Sequence, residues 1–101
     1  MSERVEKIRQ VLQELLAPSL LDIYDDSHSH AGHRGASERG GGHFFVTIVA
    51  DAFVGKTAVR RHQLVYASLG ELMQTDIHAL GLKAFTPEEF QQQQLTYSNQ
   101  E

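Results

Sequence analysis

A chain of 101 residues holds one small domain with a single hydrophobic core. Its 41% apolar and 22% charged residues are typical of a globular protein and argue against wholesale disorder or a fibrous repeat. A formal net charge of -4 argues against nucleic-acid binding through overall charge, and the absence of cysteine excludes disulfides and cysteine-ligated metal sites formed by this chain alone.

The first part of the chain predicts a helix followed by two strands. Apolar residues recur at helical spacing over residues 3–17, which predicts an amphipathic helix that ends before Pro18. Residues 20–26 and 43–50 are rich in β-branched and aromatic side chains, which favours strands. An antiparallel hairpin is the simplest pairing of these two strands, because a single loop joins them.

The loop between the two strands has an unusual composition. Residues 27–42 contain five glycines, three serines and three histidines, without an apolar period. Loops of this length in small domains are usually functional or mobile. Histidine is the commonest side-chain ligand of metals in proteins. The presence of His28, His30 and His33, with His43 just beyond the loop, therefore predicts metal chemistry.

The second part of the chain predicts further helices and a third strand. A helix pattern resumes after Thr57, which is a suitable N-cap, and Gly70 interrupts it. A helical turn over residues 72–77 and a strand over residues 79–85 follow, and Thr86-Pro87-Glu88-Glu89 is a complete helix-start signature. The order α-β-β-α-(α)-β-α predicts an α+β domain. The residues that share one face of the helix after Thr57 are Val59, His62, Val65, Tyr66 and Leu69.

Four short motifs follow one another along this second part. They are Phe53-Val54-Gly55, Arg61-His62-Gln63-Leu64-Val65-Tyr66, Ile77-His78-Ala79-Leu80 and Thr86-Pro87-Glu88-Glu89. In this combination, and over roughly residues 5–90, the chain resembles the BolA family. The resemblance implies a fold of the class II KH type, with a three-stranded mixed sheet and helices packed on one face. A single BolA-like domain is then expected over residues 1–90, with a polar tail over residues 91–101.

The resemblance also implies a function without catalysis. It implies that this chain is a non-enzymatic partner of a monothiol glutaredoxin, and that the two proteins share a glutathione-ligated [2Fe-2S] cluster in iron–sulfur cluster trafficking or iron regulation. A monomer is expected for the chain alone, and a heterodimer with glutaredoxin. The missing cysteine fits this arrangement, because the partner cysteine and glutathione would supply the sulfur ligands.

Two histidine ligands from this chain are implied by the resemblance, one from the helix and one from the loop. The helix ligand corresponds to His62 and the loop ligand to His30. His28 and His33 are alternatives to His30, because the loop assignment is open by two or three positions. His43 and His78 also match family positions, but nothing in their spacing requires a metal, and they are assigned to structure.

Each candidate ligand also has a simpler interpretation. His62 shares its helix face with apolar residues, and the alternative is a half-buried structural histidine bonded to a backbone carbonyl. The loop histidines are alternatively solvated polar residues. Their His-x-His-x-x-His arrangement also suits direct binding of zinc or copper, completed by His43 or an aspartate.

The rival function is that of a DNA-binding regulator of stress response or cell morphology, which has also been proposed for BolA-like proteins. Domains of the KH type bind nucleic acid, and Lys56, Arg60 and Arg61 form a local basic segment. Three cations in a chain of net charge -4 predict weak and strongly salt-dependent binding. No stretch approaches the roughly 20 apolar residues of a membrane span. No targeting peptide is visible either, so we expect a cytoplasmic protein without membrane association.

Overall fold

The helices and strands follow one another in the predicted order and form the α+β architecture that this order predicted. The computed structural model describes residues 3–26 and 42–98, so residues 27–41 of the predicted loop lie outside the described residues. A short 3-10 turn at Asp51–Phe53 leads out of the second strand. The other elements in these ranges are α1 (Glu3–Leu16), β1 (Leu20–Asp25), β2 (Gly42–Val49), α2 (Ala58–Leu69), α3 (Leu72–Thr75), β3 (Ile77–Phe85) and α4 (Pro87–Ser98).

The first helix ends where the backbone turns left-handed. Ile8, Leu12 and Leu16 recur every four residues and are buried, so one face of α1 packs on the core. Ala17, predicted as the last helical residue, has a positive φ of 46° and donates its N–H to the Gln13 carbonyl over 3.2 Å. The helix therefore ends one residue earlier than predicted, because a residue in this conformation terminates the helix.

Replacing Ala17 by glycine should stabilise the protein. A residue with a Cβ atom is strained in the left-handed region, and glycine adopts that region freely. The Ala17 side chain is exposed, so its removal costs no packing. We expect Ala17→Gly to raise the free energy of unfolding by about 0.5 to 1 kcal/mol in urea denaturation. Ala17→Val should lower it, and a glycine variant less stable than wild type would contradict the strain.

The sheet combines antiparallel and parallel pairing, which confirms the predicted mixed sheet. The strand order is β1-β2-β3, with β1 antiparallel and β3 parallel to β2. A parallel pair needs a crossover connection, and α2 and α3 provide it. The core lies on the sheet face covered by α1 and α2, where Phe44, Val46 and Ile48 of β2 are at most 1% exposed and pack with residues of these two helices.

The third strand begins earlier than predicted. The helical turn predicted over residues 72–77 covers only Leu72–Thr75, and Ile77 already belongs to β3. Two contacts explain the difference: the Gly42 N–H donates to the Asp76 carbonyl over 3.1 Å, and the Ile77 side chain is only 4% exposed. Pairing with β2 and burial in the core therefore override the local helical pattern.

The helix α2 turns only part of its predicted face to the core. Its N-cap is Thr57, as predicted. Val65 is fully buried, whereas Val59 is 65% and Tyr66 is 38% exposed. The predicted face is thus divided into a buried and an exposed stripe, and the half-buried His62 lies between them.

The predicted start of α4 is confirmed by its capping bonds. The Thr86 N–H donates to the Glu89 carboxylate over 3.0 Å, and the Glu89 N–H donates to the Thr86 hydroxyl over 3.1 Å. The Arg61 guanidinium also donates to both Glu89 oxygens, over 2.6 and 2.9 Å, and so ties α2 to α4. The helix continues into the predicted polar tail as far as Ser98.

The pairing of Glu89 makes part of the stability depend on pH. The Arg61 guanidinium, followed by the Thr86 N–H, lowers the pKa of Glu89 from 4.5 to about 2. A carboxyl group whose pKa is lowered by folding stabilises the protein above its unfolded pKa, and this stabilisation is lost as the pH falls through the folded pKa. Glu89→Gln should therefore lower the melting temperature at neutral pH, and the difference from wild type should shrink between pH 4.5 and about 2. A difference that stays constant over this range in thermal denaturation would contradict the ion pair.

Candidate functional site

Two histidine rings meet at the end of the sheet where β2 and β3 begin. His43 and His78 are the second residues of these strands, and their ring centroids lie 5.2 Å apart. A β-bulge helps to bring the two rings together. Gly42 pairs with Ile77 and His43 pairs with Ala79, so the register skips one residue of β3. His78 is the extra residue of the bulge and therefore lies opposite His43, on the face of the sheet away from the core.

Hydrogen bonds and ion pairs anchor the start of β3 just before His78. The Asp76 carboxylate accepts from the Thr75 hydroxyl over 2.7 Å and from the Lys7 ammonium group of α1 over 3.3 Å. The Thr75 hydrogen bond first, and then Lys7 and Arg4, lower the pKa of Asp76. Thr75 and Asp76, which come just before Ile77 and His78, are thus bonded to each other, and Asp76 is also bonded to α1.

The connection between β1 and β2 starts and ends beside this site. The Asp26 N–H donates to the His43 carbonyl over 2.8 Å, so the last described residue before the connection lies next to the start of β2. His28, His30 and His33 lie within the connection and outside the described residues. Their role as loop ligands stays a prediction, and the fold brings both ends of their segment to the histidine pair.

The predicted helix ligand His62 lies in a different layer of the fold. Its ring contacts the Tyr66 ring edge-on, with centroids 6.2 Å apart. The helix α2 packs on the core face of the sheet, whereas His43 and His78 lie on the opposite face. In addition, α2 returns from the far end of the sheet, and His62 is in its first half. The structure therefore does not bring His62 together with the pair at the sheet end.

The distance between the two histidine rings can be compared with that between two imidazoles bound to one metal. Two imidazoles bound to one tetrahedral metal at about 2.1 Å have ring centres roughly 5 Å apart. The ring centroids of His43 and His78 lie 5.2 Å apart, which matches this spacing and is also a distance of ordinary ring packing. Across residues 3–26 and 42–98, no group of three or more acidic or histidine side chains could hold a metal ion. A metal bound by His78 would thus need further ligands from residues 27–41 or from a partner.

The predicted basic segment is divided by the fold. Besides Glu89, the Arg61 guanidinium bonds the Ala84 carbonyl over 3.1 Å and the Lys56 carbonyl over 2.9 Å, and the side chain is only 13% exposed. Lys56 and Arg60, by contrast, are exposed just before and within the first turn of α2. The positive charge of Arg61 is thus paired with Glu89 within the protein. Lys56 and Arg60 are the two predicted nucleic-acid contacts that face solvent.

Comparison with models of protein families decides the family. Residues 12–89 match the model of the family described as BolA-like protein. The chain belongs to the BolA-like family. This confirms the family predicted from the four sequence motifs.

Curated relatives agree with this assignment. SufE-like protein 1, chloroplastic/mitochondrial, from Arabidopsis thaliana is 42% identical over 88% of this BolA-like chain and 25% of its own length. Protein BOLA1, chloroplastic, from the same plant is 43% identical over 85% of this chain and 55% of its own length. The DNA-binding transcriptional regulator BolA of Escherichia coli (strain K12) is 33% identical over 85% of this chain and 78% of its own length. The chain thus spans a quarter of the length of the first plant relative and about half of the length of the second.

A solved structure confirms the fold. The BolA domain of SufE1 from Arabidopsis thaliana is 40% identical and gives a TM-score of 0.76 over 88% of this chain and 98% of that chain. The names of the relatives describe organellar proteins, BolA-like proteins and bacterial regulators. In the part of this chain that the structure describes, no helix is long and apolar enough to cross a membrane.

The contact between His43 and His78 in this BolA-like protein was not predicted from the sequence, which assigned both residues to structure. The two residues are far apart in the chain, and no local periodicity relates them. They meet through the parallel pairing of β2 and β3 and through the bulge. A usable signal was present, since His43 opens one predicted strand and His78 precedes the next, and the starts of parallel strands meet at one edge of a sheet.

Proposed function

We propose that this BolA-like protein is a partner of a monothiol glutaredoxin and shares with it a [2Fe-2S] cluster that glutathione also ligates. The supporting observation is the exposed imidazole of His78, which packs against His43 at the place where a histidine-containing segment begins and ends. The chain has no cysteine, so the partner cysteine and glutathione would supply the thiolates. The protein is then a cytoplasmic monomer that forms a heterodimer with glutaredoxin and acts in cluster trafficking or iron regulation.

His78 is the sheet ligand in this proposal. Its side chain is exposed, and the half-buried His43 packs against it and restricts the orientation of its ring. The second ligand comes from the segment between β1 and β2, where His30 is the predicted residue and His28 and His33 are the alternatives. Two imidazoles from one chain and two thiolates from elsewhere complete the ligand set of a shared cluster.

His62 is the alternative ligand from the helix, as the resemblance implies. A cluster held there would lie in the helical layer, on the other side of the sheet from His43 and His78. The segment that carries the loop histidines starts and ends next to His43, which favours His78 over His62.

Histidine ligation would change the reduction potential of the shared cluster. An imidazole replaces a thiolate without carrying its negative charge, which raises the reduction potential of an iron–sulfur cluster. The contribution of this chain is to hold two nitrogen donors in place and to present the cluster, as cargo, at the end of the sheet.

Anaerobic reconstitution tests the proposal. The chain is mixed with a monothiol glutaredoxin, glutathione, ferric iron and sulfide, and the products are separated by size. We expect a heterodimer that carries iron and sulfide in equal amounts and has a visible circular dichroism spectrum different from that of the glutaredoxin homodimer. A cluster found in glutaredoxin homodimers alone, with this chain eluting separately, would overturn the proposal.

A second candidate function is DNA binding by a transcriptional regulator. Relatives from Escherichia coli and Haemophilus influenzae are named DNA-binding transcriptional regulators, and Lys56 and Arg60 are exposed at the start of α2. Gel retardation of a labelled duplex at several salt concentrations tests this function. The double variant Lys56→Ala/Arg60→Ala should bind more weakly, with a salt slope reduced by about 2. Equal retardation of wild type and variant would reject these contacts.

A further inference from the structure

The sheet face that carries the histidine pair also exposes two aromatic rings side by side. Tyr24 of β1 and Phe45 of β2 are direct cross-strand partners, and their rings stack with centroids 6.4 Å apart. Tyr24 is 58% and Phe45 is 52% exposed. Adjacent exposed aromatic residues on a sheet are a feature of binding surfaces, where their large apolar area becomes buried.

A glycine on the third strand makes room for this arrangement. Gly81 of β3 pairs directly with Phe45, and a Cβ atom added at Gly81 would overlap Cδ1 and Cε1 of the Phe45 ring. The ring therefore lies over the glycine, at the place where a side chain of β3 would otherwise stand. Tyr24, Phe45 and Gly81 together form a flat apolar strip across the three strands, which we call the aromatic row.

The aromatic row is continuous with the proposed cluster site. His43 and Phe45 lie on the same face of β2, and two residues of a strand span about 7 Å. A stable protein interface covers roughly 800 Å² of each partner, which is much wider than this separation. A partner that approaches His78 from this face of the sheet therefore also covers Phe45.

We infer that the aromatic row is the docking surface for the thiol-bearing partner that shares the cluster, an inference that rests on the proposed function. Aromatic residues are enriched at the centres of interfaces and contribute a large part of the binding energy there. The row places Tyr24 and Phe45 next to the histidine pair, where a partner thiolate has to reach the iron.

The next row of side chains suits the rim of such an interface. Asp22 pairs with Thr47, and Thr47 pairs with Lys83, so one acidic, one hydroxyl and one basic group lie beside the aromatic row. Asp22 and Lys83 are exposed. The partner is therefore expected to present an apolar patch beside its thiol, surrounded by polar groups of both charge signs.

Paired substitutions in the full chain test this inference. Tyr24→Ser/Phe45→Ser removes both rings, and the control Leu15→Ser removes a 61% exposed apolar side chain from α1, which packs on the other side of the sheet. Anaerobic titration calorimetry with a monothiol glutaredoxin that carries its glutathione-ligated [2Fe-2S] cluster measures the dissociation constant of the complex. We expect the dissociation constant to rise at least about tenfold in the double variant and to change less than about twofold in the control. At saturation, the double variant should give the wild-type visible spectrum, because the iron ligands are unchanged.

A second variant keeps both rings and separates docking from folding. Gly81→Ala displaces the Phe45 ring, so it should also weaken binding, and thermal denaturation shows whether each variant is folded. Wild-type affinity in both the double variant and Gly81→Ala would overturn the inference while leaving the proposed function intact. If wild type forms no cluster-bearing complex, the proposed function fails, and this inference fails with it.

Discussion

Replacing His78 by alanine should abolish the cluster-bearing complex with glutaredoxin. The substitution removes the exposed imidazole of the pair at the sheet end, which is one of the two bonds to iron that the proposal assigns to this chain. We expect iron and sulfide in the purified heterodimer to fall at least about tenfold, together with loss of the distinctive visible circular dichroism. Metal analysis after size separation measures this effect.

His62→Ala is the matched control, because it removes an imidazole from the helical layer on the other side of the sheet. The heterodimer and its spectrum should survive this substitution. His30→Ala should behave like His78→Ala, since His30 is the predicted loop ligand. The opposite result, a spectrum that depends on His62 and not on His78, would contradict ligation at the sheet end and would support the helix ligand.

Replacing Phe53 by alanine should lower the free energy of unfolding by about 3 to 5 kcal/mol. Phe53 is fully buried at the end of the 3-10 turn and belongs to the core cluster with residues of α1, α2 and the sheet. Truncation removes apolar surface from the core and leaves a cavity that the packed neighbours fill only in part. Because a small domain has a total stability of about 5 to 15 kcal/mol, this loss is a large fraction of it. Urea denaturation followed by far-UV circular dichroism measures the change.

Two controls bracket this effect. Phe53→Leu keeps most of the apolar volume and should cost about 1 kcal/mol. Val54→Ala, at a neighbouring side chain that is 61% exposed, should change stability by less than about 0.5 kcal/mol. A loss below 1 kcal/mol for Phe53→Ala would show that the turn after β2 does not belong to the cooperative core.

The fold could be predicted from the sequence wherever a local signal and a tertiary contact agree. The helix start at Thr86 is an example, because its capping partner Glu89 lies three residues away and the bonds form as expected. The errors at Ala17 and Ile77 have a different origin. The helix end at Ala17 depends on a left-handed backbone conformation, and the start of β3 at Ile77 depends on pairing with β2. Neither property is encoded in a short periodic pattern.

The sequence predicts the type of ligand at the candidate site but not the positions of the side chains. The concentration of histidines, and the absence of cysteine, indicate nitrogen ligation by composition alone. The positions of His43 and His78 at strand starts indicate a shared edge of the sheet, but their contact also depends on the register and the bulge between the two strands, which these positions do not specify. The same limit applies to Arg61, whose charge is visible in the sequence but whose partner Glu89 lies on a helix far along the chain.

Pulsed EPR spectroscopy of the reduced complex tests histidine ligation most directly. Labelling of this chain alone with 15N-histidine distinguishes its imidazoles from every nitrogen atom of the glutaredoxin. An imidazole bound to iron couples strongly to the unpaired electron of a reduced [2Fe-2S] cluster, whereas a cluster with thiolate ligands alone does not. We predict strong 15N couplings in the complex with the wild-type chain and in the complex with His62→Ala. A reduced cluster in the heterodimer without strong 15N coupling would contradict ligation by the histidines of this protein.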